Sequence, residues 1–284
     1  MYEFKPFTIN IGGKLLEINR PLVMGILNAT PDSFYGGSRC SETDRIAGRI
    51  EEMVRDGADI IDIGGYSSRP NADDVTAEEE YRRLESVLKV RREIAPEIPV
   101  SIDTFRADVA RKCIENFGAM IVNDISGGDL DENMFATVAE LKVPYILMHM
   151  RGNPKTMQSL TDYEDGVVVG VISDLAKKVH RLSRMGVCDV IVDPGFGFSK
   201  DLEQNYRLMA HLEEFHALRL PLLVGISRKS MIFRALGTTP DGALNGTTAL
   251  NVVSLMAGAH ILRVHDVKEA VEAVKIVELI RNQH

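Results

Sequence analysis

Eight short, near-continuous apolar runs alternate with longer amphipathic stretches along this chain, and few folds can absorb that rhythm. The runs are LVMGIL (22–27), IIDIG (60–64), PVSID (99–103), MIVND (120–124), YILMH (145–149), VIVD (190–193), LLVG (222–225) and HILRV (260–264). A strand that is apolar on both faces is buried on both faces, the condition of a parallel sheet covered by helices. The intervening stretches carry helical periodicity. Between Thr76 and Ala95, Tyr81, Leu84, Val87, Leu88, Ile94 and Ala95 recur at helical spacing, and Thr76 with Glu79 reads as a capping box. Gly57, Gly118 and Gly186 each stand after a helical stretch and before a strand, where a C-terminal cap with positive φ is wanted.

About eight strand–helix units predict an α/β chain folded as a (β/α)8 TIM barrel. A doubly wound open sheet uses the same units, but no GxGxxG follows the first strand. Phe4–Asn10 and Lys14–Ile18, joined at Gly12-Gly13, read as an N-terminal β-hairpin over the barrel's N-terminal end. No linker or low-complexity segment interrupts residues 1–284, so a single domain is expected, and 45% hydrophobic residues suffice for its core.

A net charge of −8 argues against non-specific nucleic-acid binding, though not against a local anion pocket. Cys40, Cys113 and Cys188 show neither metal-ligand spacing nor an even pairing, which favours a reducing compartment. The start MYEFKPFTIN lacks the features of a signal peptide, and no apolar stretch approaches membrane-spanning length. A soluble, cytoplasmic protein is expected.

Nearly every strand ends on a polar residue: Asn28, Asp103, Asp124 with Asn123, His149, Asp193, and Arg263 with His265. Singly, each could cap a helix or make a turn. On one barrel rim they would form a mouth of buried polar groups, each costing about 1–3 kcal/mol if left without a partner. Asp103, Asn123 and Asp193 suit a heterocycle rich in N–H donors, since a carboxylate can accept two parallel hydrogen bonds. Ser67, Ser68, Arg69, Lys229, Arg263 and His265 supply donors and positive charge of the kind that holds phosphate. Asn28 offers a neutral oxygen to Mg²⁺. His149 reads more naturally as a packed strand residue. Two neighbouring subsites follow, one for a polar ring and one for a polyphosphate.

The segments MGILNATPDSF (24–34), DIGGYSSRP (62–70), SIDTF (101–105), NDISGG (123–128), LMHMRGNPKTMQ (147–158), DPGFGFSK (193–200), GISRKS (225–230), NGTTALN (245–251) and LRVHDV (262–267) occur in this order. With them the chain resembles the dihydropteroate synthase family of folate biosynthesis, the target of sulfonamides. The resemblance implies condensation of 6-hydroxymethyl-7,8-dihydropterin diphosphate with p-aminobenzoate, by a dissociative, Mg²⁺-assisted displacement. By motif it assigns Asp103, Asn123, Asp193 and Lys229 to the pterin, and Asn28, Ser68, Arg69, Arg263 and His265 to diphosphate, with Asn28 on the metal. Phe34, Phe198 and Ser230 fall to p-aminobenzoate. Asp103, Asp193, Lys229, Arg263 and His265 form its catalytic set. Loops Thr30–Gly37 and Tyr66–Asn71 are expected to close over the site, the first of them excluding water, and the family is usually a homodimer through late barrel helices. Tyr66 departs from a common glutamate, Ser68 from the usual threonine and Ser199 from a frequent glycine. A pterin-binding methyltransferase and a non-catalytic pterin-binding paralogue are the rival readings.

Overall fold

The computed structural model describes residues 2–29, 42–66 and 75–283. Strand β1 (Phe7–Ile11) pairs antiparallel with β2 (Lys14–Ile18). The connecting Gly12 and Gly13 have φ of 59° and 93°, as a two-residue hairpin turn demands. The first strand begins at Phe7 rather than at the expected Phe4. Pro6 has no amide hydrogen to extend the ladder, and β2 ends at Ile18, the partner of Phe7.

Eight parallel strands follow: β3 (Leu22–Asn28), β4 (Ile60–Gly64), β5 (Val100–Asp103), β6 (Ile121–Asp124), β7 (Tyr145–Met148), β8 (Val190–Asp193), β9 (Leu223–Val224) and β10 (Ile261–Val264). They are neighbours in chain order from β3 to β8. Strand β10 lies between β3 and β9, and a bridge from Val192 to Leu222 joins β8 to β9. The sheet thereby meets itself as a barrel, which excludes the open doubly wound alternative.

Helices α1 (Glu42–Asp56), α2 (Ala77–Ile94), α3 (Ala107–Phe117), α4 (Met134–Leu141), α5 (Val167–Arg184) and α6 (Leu202–Ala210) follow β3 to β8 in turn. Two helices, α7 (Ser230–Ala235) and α8 (Leu244–Met256), follow β9, and α9 (Val267–Arg281) closes the ring. Thr76 caps α2, its hydroxyl oxygen accepting from Glu79 N at 3.2 Å, while the Glu79 carboxylate is taken by Arg82 and Arg83. The expected capping box is therefore present in its threonine half. Gly57, Gly118 and Gly186 adopt φ of 96°, 92° and 85°.

Side chains alternate along each strand between barrel interior and helix layer. Ile60, Ile121, Ile146, Ile191, Leu223 and Ile261 line the interior with Leu22 and Met24, and hairpin residues Ile9 and Ile18 pack into the same cluster. The hairpin thus plugs the N-terminal end of the barrel. The intervening Val23, Ile61, Val122, Leu147, Val192 and Leu262 pack against the helices.

Candidate active site

Two residues beyond the isoleucine layer, the same inward register delivers Asp62, Asp103, Asn123, Asp193 and Arg263. The floor is apolar and the mouth polar because β4, β6, β8 and β10 each change from an isoleucine to a polar residue at one step of this period, while on β5 Asp103 follows Ser101. Arg263 on β10 donates from Nε to Asp62 Oδ2 at 2.7 Å and from an Nη to Asp103 Oδ2 at 2.6 Å. Since β3 and β4 separate β10 from β5, this reach crosses the interior. Asn123 Nδ2 donates to both oxygens of Asp62, at 3.2 and 3.3 Å.

Asp193 stands on the other flank. A methyl group built on Gly225 would lie 3.7 Å from Arg263 Cβ and 3.9 Å from Asp193 Oδ2, so the two residues face one space across that glycine. Asp193 Oδ1 accepts from Gly195 N at 2.7 Å. Lys229 Nζ donates to Phe196 O at 2.5 Å and sits 4.7 Å above the Phe198 ring. Phe198 and Phe105 pack against Ile125, Met148, Met150 and Met157, a small apolar cluster at the rim. Ser230 begins α7 beside Lys229. His265 N and Nδ1 each lie 3.1 Å from Ser227 Oγ. Asn28 ends β3 at the same rim, half-buried. Phe34, Ser67, Ser68, Arg69 and Cys40, and the loops Thr30–Gly37 and 67–71, lie outside the described residues.

Burial pushes the Asp103 carboxyl up to about 7, against the pull of Arg263 and with the help of Asp62. It raises Asp193 as well, opposed by Lys229. Burial likewise lowers the Lys229 ammonium to about 8, opposed by Asp193. Such shifts concentrate where charged groups are held for a ligand rather than for water.

Two rim residues belong to the scaffold. Asp124 points to the helix layer, accepting from Ser126 N and Oγ, Gly128 N and Tyr145 OH at 2.7–2.8 Å. His149 is buried, with Nδ1 3.0 Å from Lys200 Nζ. Lys200 also donates to Gly195 O and Phe198 O, at 2.9 and 2.8 Å, and so curls the loop that carries Phe198.

Of the three unusual positions, Ser68 lies outside the described residues and the other two have local accounts. Ser199 holds φ of 53°, a left-handed conformation that costs about 1–2 kcal/mol in a residue with a Cβ. Its Oγ accepts from Arg151 N at 2.8 Å and donates to Arg151 O at 3.0 Å, two bonds a glycine could not make and worth about 1 kcal/mol each. Tyr66 packs edge-on against Phe105 at 5.1 Å, with the Arg106 guanidinium over both rings. Asp62 is the site residue missed in sequence; its signal was one acid inside the otherwise apolar run IIDIG.

A family profile described as pterin binding enzyme matches residues 24–265. The chain is 45% identical to the dihydropteroate synthase of Escherichia coli K12 over 271 residues, 94% of each chain. Its fold is similar to that of Xanthomonas albilineans dihydropteroate synthase with 4-aminobenzoic acid, at TM-score 0.88 and 33% identity, covering 98% and 99% of the two chains. It is also similar to the Yersinia pestis enzyme in a sulfonamide drug complex, at TM-score 0.88 and 39% identity, covering 98% and 100%.

Proposed function

Because the chain belongs to the pterin-binding enzyme family, we propose that its rim joins 6-hydroxymethyl-7,8-dihydropterin diphosphate to p-aminobenzoate. The products are 7,8-dihydropteroate and diphosphate, and the activity is that of a transferase in folate synthesis. The observation that carries this reading is the charged layer around Gly225: acids for the N–H edge of a flat ring stand beside cations for its leaving group.

Asp103, Asn123, Asp193 and Lys229 are assigned to the pterin. A buried carboxylate at Asp193 accepts two parallel N–H bonds from the aminopyrimidinone edge, and the ammonium of Lys229 serves the ring's acceptors. Arg263 and His265, with Ser68, Arg69 and Asn28, are assigned to diphosphate, and Phe34, Phe198 and Ser230 to p-aminobenzoate. The methylene C–O bond breaks with its electron pair going to diphosphate, where Arg263 and His265 meet the developing charge. The amine nitrogen of p-aminobenzoate then forms the C–N bond, and its proton passes to water or to diphosphate. Exclusion of water from the intermediate cation falls to the loop Thr30–Gly37.

Mg²⁺ would enter with the substrate's phosphates. It takes oxygen ligands and keeps several waters, so the single neutral oxygen of half-buried Asn28 fits it. Among the described residues no group of three His, Cys, Asp or Glu could hold a metal. When bound, it neutralises charge on the leaving diphosphate.

A homodimer is proposed through the face where α8 exposes Val253 and Met256 and α9 exposes Ile276, Leu279 and Ile280. No helix among the described residues is long and apolar enough to cross a membrane, and a cytoplasmic location is proposed with that.

The deciding experiment is diphosphate release from the pterin diphosphate, measured with and without p-aminobenzoate. Release that ignores p-aminobenzoate removes the synthase reading. Turnover undiminished in excess EDTA removes the metal from it.

A further inference from the structure

The segments that carry Lys229 and His265 are tied together immediately beside those residues. Arg228 donates from Nε to Asp266 Oδ2 at 2.9 Å and from an Nη to Asp266 Oδ1 at 2.8 Å, a two-pronged ion pair across 38 residues of chain. Each partner gives up something for it. Arg228 holds φ of 55°, a left-handed backbone that a residue with a Cβ adopts at a cost. Asp266 occupies the N-cap of α9, where an aspartate ordinarily accepts from the first-turn amides, yet its side chain makes no capping bond. Both its oxygens go to Arg228 instead.

The surroundings hold the arginine as well. Arg228 N donates to Thr247 Oγ1 on α8 at 3.1 Å, and the other end of its guanidinium donates to Pro240 O at 3.1 Å and Asp241 O at 3.2 Å. A second tie runs parallel one residue earlier in each segment, from His265 to Ser227 Oγ. The loops after β9 and β10 are therefore joined by two ties side by side.

We propose that the Arg228–Asp266 pair is a clasp that sets Lys229 and His265 in register with each other, so that the pterin subsite and the diphosphate subsite are held at one spacing. Arg228 is a positioning residue for the transfer, and the proposal rests on the synthase reading above. A substrate with a rigid ring and a charged tail is gripped at both ends only if the two grips keep their separation.

The test uses Arg228→Lys, Arg228→Gly, Asp266→Asn and the double variant Arg228→Lys/Asp266→Asn in the full chain. Lysine keeps the charge without the fork, and glycine accepts the positive φ without the side chain. Each single variant should raise KM for the pterin diphosphate about tenfold or more, with KM for p-aminobenzoate changed less than threefold. The double variant should be no worse than the worse single, because both remove one link. Binding of inorganic diphosphate, followed by calorimetry, should weaken alongside, and this arm needs no turnover. A merely structural role lowers Tm and leaves these constants in place. Folded Arg228→Gly and Asp266→Asn proteins with both KM values and the diphosphate affinity within twofold of the parent would overturn the clasp. So would effects that multiply in the double variant. Failure of the synthase reading looks different, because the parent protein itself would then show no p-aminobenzoate-dependent release.

Discussion

Arg263 and Asp62 meet inside the barrel, Nε to Oδ2 at 2.7 Å, with the carboxylate fully buried and Asn123 donating to it from the other side. Asp62 thereby orients the guanidinium before any substrate arrives. Burial works against the charge on Arg263, yet Asp62 and Asp103 outweigh it and leave its pKa above the ordinary arginine value.

Replacing Asp62 by asparagine keeps the shape and removes the charge. Breaking a buried pair in this way costs about 3–5 kcal/mol, less here because Asp103 still accepts from Arg263. The expected result is a loss of about 2–3 kcal/mol in urea unfolding, with kcat/KM for the pterin diphosphate down at least about tenfold. Parental kcat/KM in a folded Asp62→Asn protein would show that Arg263 needs no such anchor.

The pH profile follows from two groups on opposite flanks. Asp103 becomes a carboxylate as pH rises through about 7, and Lys229 loses its proton as pH rises through about 8. If binding requires the anion of the first and the cation of the second, kcat/KM is a narrow bell between those values. Measured from pH 5.5 to 9.5, loss of one limb would remove the requirement behind it, and a flat profile would remove both.

The barrel was legible because burial on both faces leaves a run of apolar residues that composition cannot disguise. Even the two-residue β9 announced itself in LLVG. The rim was half legible. Sequence marks where a strand ends but not which way its last side chain points, so Asn123, facing in, and Asp124, facing out, both counted as rim residues, although only Asn123 was assigned to the ring. Asp62 hid inside a run for the opposite reason, since one acid among isoleucines reads as part of the strand. The pairing of Arg228 with Asp266 depends on β9 lying beside β10, which no local pattern encodes.

Acid should loosen the floor before it unfolds the rest. His260 accepts from Leu222 N at Nδ1, and its Nε2 lies 3.0 Å from Lys5 O, so it ties the N-terminal segment to the barrel as a neutral ring. Burial lowers it from 6.5 to about 4, helped by His216 and Arg281 and opposed by the bond to Lys5. The unfolded chain therefore binds the proton first, and stability present above pH 6.5 is lost as pH falls towards 4, by about 3 kcal/mol at most. Urea midpoints at pH 7 and pH 4.5 measure this. A His260→Gln protein should be weaker at pH 7 but show a smaller drop between the two, and an unchanged drop would place the acid sensitivity elsewhere.

Gly195 gives the sharpest contrast between strain and function. At φ of 70°, an added Cβ would sit 2.0 Å from His149 O and 3.0 Å from its carbonyl carbon, and neither atom can swing away as a side-chain tip could. The backbone of the 194–199 loop would have to shift. That same glycine donates its N–H to Asp193 and accepts from Lys200 through its carbonyl, so the shift reaches the pterin acid directly. Gly195→Ala should lose at least about 3 kcal/mol and bind a pterin ligand at least about a hundredfold more weakly. Gly186, at φ of 85° in the loop before β8, has nothing within 4 Å of an added Cβ. Gly186→Ala should therefore cost only the left-handed strain, about 1–2 kcal/mol, and leave pterin affinity alone. Equal losses of affinity in the two variants would mean that the effect comes from global destabilisation, and that the turn at Asp193 holds no special geometry for the ring.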